Sequence, residues 1–148
     1  MSIVTEEHVS ALRAMLVEDL IEYELLVGRL KDAGRLHGLG TLVAAAFYEA
    51  VYRRFGDGYT IAEVIGFVAD ERTRFSDPED DFDPRVAERL VCAVLGQGSA
   101  GGMDKETEGR AQLALLAGLI GHENLDEAGL DQFLEEARKV ADASVERP

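Results

Sequence analysis

Leu39-Gly40-Thr41-Leu42-Val43-Ala44-Ala45-Ala46-Phe47-Tyr48-Glu49-Ala50-Val51 is apolar on almost every side of a helical wheel. A helix of that kind is sheltered by other elements rather than laid on a surface, so this stretch predicts a central helix. Arg53 and Arg54 fall in its last turn, and Gly56-Asp57-Gly58 breaks it. Leu113, Leu115, Leu116, Leu119 and Ile120 surround a second stretch in the same way and predict a second central helix, starting at Asp104.

The remaining apolar residues recur with helical spacing. Val9, Leu12, Leu16, Leu20, Tyr23, Val27 and Leu30 form one stripe flanked by Val17, Ile21 and Leu25. This predicts one long helix from a Thr5 cap to Ala33-Gly34. Core packing accounts for the stripe, and so does a coiled-coil pairing between two copies. Thr60-Ile61-Ala62-Glu63 has the capping-box spacing and opens a helix with Ile61, Val64, Ile65, Val68 and Phe75 inward and Asp70, Glu71 and Arg74 outward. Asp83-Pro84 starts another, with Val86, Leu90, Ala93 and Val94 on one side. Asn124 opens the last, whose stripe is Leu130, Phe133, Leu134, Ala137 and Ala141.

No hairpin or strand signal interrupts this series. The expected fold is all-α, a compact bundle of about six helices in which two central apolar ones are wrapped by amphipathic ones. The 148 residues suit one domain spanning 1–148, containing an acidic loop at 76–83 and a Gly-rich flexible loop at 96–103.

Charge narrows the function. A net charge of −14 works against contact with phosphate backbones and anionic lipid, so neither nucleic acid nor membrane is an expected partner. A lone cysteine and a start with neither basic nor long apolar character point to a reducing cytoplasm. Arginine far outnumbers lysine, present only at 31, 105 and 139, a bias that fits a bacterial coding sequence rich in G and C.

Chemistry-bearing motifs are sparse. Gly96, Gly98 and Gly101 spell G-x-G-x-x-G, but no strand precedes them, and Asp104, Glu106 and Glu108 would repel a pyrophosphate. A linker is the better reading. Asp77, Glu79, Asp81 and Asp83 alternate like calcium ligands, but an EF-hand needs glycine at its sixth position and glutamate at its twelfth, where this register offers Phe82 and Glu88, so the glycine is missing. His8, His37 and His122 are scattered, so no metal site, cofactor or catalytic residue is expected.

Two features remain. Cys92 shares a wheel sector with Arg85 and Arg89, cations that would lower a thiol's pKa, and is a possible reactive thiol. Tyr48, Tyr52, Arg53, Arg54, Tyr59, Arg72 and Arg74 bring together the residue types that anchor interfaces. They lie in or near the least acidic region, since residues 1–54 carry 6 basic and 8 acidic groups against 9 and 21 in the rest. The reading is a non-enzymatic helical interaction module that self-associates through the first helix or docks a protein partner on the Tyr/Arg surface. A sensor or enzyme with a small-ligand pocket between the central helices is the alternative.

Overall fold

The structure is a computed structural model and describes residues 4–56, 58–73, 83–97, 102 and 104–146. Its elements are α1 (Glu6–Leu16), α2 (Leu20–Asp32), α3 (Leu36–Arg54), α4 (Ile61–Arg72), α5 (Pro84–Val94), α6 (Lys105–Glu123) and α7 (Glu127–Glu146). The fold is all-helical, a packed bundle with no strand among the described residues.

α3 is the hub. It buries Leu39, Leu42, Val43, Ala45, Ala46, Phe47, Ala50 and Val51 and touches α1, α2, α5, α6 and α7. α6, the second apolar helix, lies against α3, α5 and α1 and buries Leu115, Leu116, Leu119 and Ile120. Ion pairs link helices at the surface. Arg13 of α1 meets Asp131 of α7, Arg138 of α7 meets Glu6, and Arg53 of α3 meets Glu123 of α6.

Among the described residues there are seven helices where the sequence pattern predicts about six, because the long first helix is two. The Asp19 N–H donates to the Ala14 carbonyl at 2.8 Å and the Glu18 N–H to the Met15 carbonyl at 3.1 Å, the two bonds of a Schellman turn. Glu18 occupies the left-handed position, φ 63°, that glycine usually fills. Asp19 immediately caps the next helix, its carboxylate accepting from the Glu22 N–H at 3.2 Å. The break redirects the stripe, so Leu12, Leu26 and Leu30 are buried while Leu20 and its flanking residues face outward.

Two further boundaries and faces differ from expectation. Asn124 does not open the last helix but ends α6 in the left-handed conformation, and the Asp126 carboxylate accepts from the Gly129 N–H at the start of α7. On α4 the inward row is Val64, Phe67, Val68 and Glu71, with Ile61 and Ile65 about half exposed. Val64 and Val68 belong to either row. Phe67 packing edge-on against Phe55, with centroids 5.8 Å apart, fixes which flank turns inward. Phe75, residues 76–82 of the acidic loop, and residues 98–101 and 103 of the Gly-rich loop lie outside the described residues.

A buried histidine ties the start of the bundle to its middle. His8 Nδ1 accepts from the Thr5 N–H at 2.9 Å, which leaves Nε2–H to donate to the Arg35 carbonyl at 2.8 Å. One side chain thereby satisfies an orphan donor of the α1 N-terminus and a carbonyl between α2 and α3.

Candidate interaction surface

α2 leans on α1 and only slightly on α3. Its buried side is Leu26 and Leu30, with Tyr23 and Val27 half-buried beside them. Burial raises the Tyr23 phenol pKa above its ordinary value. The N-terminal half of the opposite side is apolar too, before the exposed Asp32 at its far end. Val17, Leu20, Ile21 and Leu25 are 54%, 60%, 85% and 50% exposed. Ile21, Leu25 and Gly28 follow i, i+4, i+7 spacing and so share one face. A contiguous apolar row is what a partner helix packs against, unlike single scattered apolar residues.

The Tyr/Arg set is not one patch. Tyr48 and Tyr52 do stand together on the outer face of α3, with ring centroids 4.8 Å apart and planes tilted by 38°. The neighbouring Tyr52 hydroxyl, and after it desolvation and the Glu49 charge, raise the Tyr48 pKa. Arg53 turns to α6 instead, where its Nε and Nη2 donate to the Glu123 carboxylate at 3.0 and 2.6 Å, and its guanidinium lies 5.6 Å from the Phe133 ring centre. Arg54 lies over Phe67 at 6.0 Å. Tyr59 packs on the core, Arg72 is exposed at the end of α4, and Arg74 lies outside the described residues.

Cys92 is half-buried on α5. Desolvation and then the Glu88 charge raise its pKa, the opposite of the direction expected from Arg85 and Arg89. The sequence reading missed a more constrained group. Glu71, placed outward by its spacing, is 1% exposed, and its Oε1 lies 3.0 Å from His122 Nε2. Its carboxylate occupies the space where a side chain at position 118 would begin, so Gly118 is what admits it. Nothing local in the α4 sequence signals this, because the partners come from α6.

A cavity of about 540 Å³ opens between α2, α3 and α6. Leu36, Leu39, Val43 and Leu113 give it an apolar lining, and Tyr23, His37, Lys105, Glu108 and Gln112 stand among its polar groups. No cluster of three or more potential metal-binding side chains occurs among the described residues. None of the described helices is long and apolar enough to cross a membrane. Compared with protein-family models, with characterised proteins and with solved structures, the chain matches none.

Proposed function

We propose that this chain is a non-enzymatic α-helical protein-interaction module whose docking face is the outer side of α2. The exposed Leu20, Ile21 and Leu25 of α2, with the exposed Val17 at the end of α1 before them, carry the reading. A helix held on one side and apolar on the N-terminal half of the other suits a partner helix that lays its own apolar face along the row. The exposed Tyr48/Tyr52 pair offers a smaller second contact, aromatic anchors being common in interfaces. The test is a photo-cross-linking residue at position 21 of the full chain in cells, with one at the exposed Glu135 position of α7 as control. Discrete protein adducts at position 21 alone are expected. Labelling at 21 no stronger than at 135 overturns the reading.

A second reading, small-ligand binding, is favoured by the cavity between α2, α3 and α6, whose volume and mixed lining suit a metabolite. A saturable rise in Tm with a metabolite, abolished by Gly109→Leu at the cavity wall, supports it. The absence of any such ligand in a broad screen goes against it.

A further inference from the structure

We infer that the partner of the α2 face is a second copy of this chain, the two α2 helices packing antiparallel about a two-fold axis; this rests on reading the α2 row as a docking face. Charge along the helix supplies the argument. Glu22 and Arg29 stand on one flank of the row, and Glu24 and Lys31 on the other, each pair seven residues apart. All four are exposed, and none has an ion pair within its own chain among the described residues. Each flank is therefore acidic toward its N-terminal end and basic toward its C-terminal end.

When two identical helices pack antiparallel, each flank meets the same flank of the other copy in reverse order. Glu22 then faces Arg29 of the second copy and Glu24 faces its Lys31. The first pairing centres the axis between Leu25 and Leu26 and the second between Val27 and Gly28, about 3 Å apart along the helix, so an axis between Leu26 and Val27 lies within about 1.5 Å of both. That register sets Leu25 over Gly28 of the second copy. Gly28 is a mid-helix glycine with nothing within 4 Å of the place a Cβ would occupy, so it leaves a recess for the leucine. A parallel arrangement would bring each acidic half beside the other acidic half. A single helical row buries a modest area, so the association is expected to be weak and to depend on concentration.

Sedimentation of the full chain up to about 100 μM, where a micromolar Kd gives mostly dimer, is the first measurement. A reversible dimer is expected, abolished by Ile21→Glu with the helical circular dichroism unchanged. Glu22→Lys with Glu24→Lys makes both halves basic, and Arg29→Glu with Lys31→Glu makes both acidic. Each variant is expected to be monomeric alone and to dimerise when the two are mixed. In a Cys92→Ser background, Glu22→Cys mixed with Arg29→Cys should form a disulfide-linked pair, while either alone should not.

A chain that stays monomeric, or a dimer indifferent to Ile21→Glu, overturns the inference. Self-linking of Glu22→Cys alone overturns the antiparallel arrangement. If the chain is monomeric while position 21 cross-links to a different protein in cells, this inference fails and the module reading stands. If neither occurs, both fail.

Discussion

Glu71 of α4 and His122 of α6 meet at 3.0 Å, Oε1 to Nε2, over the bare backbone of Gly118. A carboxylate with 1% exposure needs polar partners, because an unmatched buried charge is strongly destabilising. Gly118 and His122 are one helical turn apart, so one face of α6 supplies both the room and the ring.

The glycines of α6 therefore have opposite characters. Gly118→Ala drives a methyl group into the Glu71 carboxylate and is expected to destabilise the fold by about 1–3 kcal/mol, the usual cost of overpacking. Gly121→Ala, where nothing lies within 4 Å, is expected to be neutral or stabilising by up to about 1 kcal/mol through helix propensity. Urea unfolding of the two variants reads the contrast, and equal effects would refute the packing described for Glu71.

Glu18 holds a left-handed conformation at the α1–α2 turn, φ 63°. Glu18→Gly relieves a penalty of about 1 kcal/mol and should raise stability by nearly that much, less the added freedom of the unfolded chain. A shift of the urea midpoint to higher concentration with an unchanged m-value is the expected result.

His8 joins the α1 N-terminus to the connection before α3 through two hydrogen bonds, from within the core. His8→Ala leaves a partly buried carbonyl and a helix-end N–H without their partner and opens a void, so a loss of about 2–4 kcal/mol is expected. Thermal unfolding measures it, and a Tm within experimental error of the parent would show that the bonds contribute nothing.

At Cys92, burial and the Glu88 charge both disfavour the thiolate. Labelling by a thiol reagent at neutral pH should be at least about threefold slower in the native protein than in the urea-unfolded chain. Native labelling should also rise with pH around a midpoint more alkaline than that of the unfolded thiol. Faster labelling in the native state would instead restore the activated thiol suggested by Arg85 and Arg89.

The architecture was legible because it follows from local periodicity. The largely apolar stretches at 39–51 and 113–120 put most of their residues in the interior, although Gly40, Ala44 and Tyr48 of the first stay exposed. Caps were legible for the same local reason: Thr60 accepts from the Glu63 N–H and Asp83 from the Arg85 N–H within a turn of chain. The α1–α2 break had a local sign as well, the Asp19-Leu20-Ile21-Glu22 spacing. The uninterrupted stripe outweighed it, since no glycine or proline stands there.

By itself the sequence determined helices, their apolar sides and the acidic surface, because those depend on residues within a turn or two of one another. The tertiary structure decided which apolar residues were left without cover, as with Ile21 and Leu25, and which polar one was drawn inside, as with Glu71. It also divided the arginines among separate neighbours, Arg53 to Glu123 and Arg54 to Phe67. Whether a side chain is covered depends on which helix lies across from it. That neighbour can be 70 residues away, as between Arg53 and Glu123, or 132, as between Glu6 and Arg138, beyond the reach of any helical period.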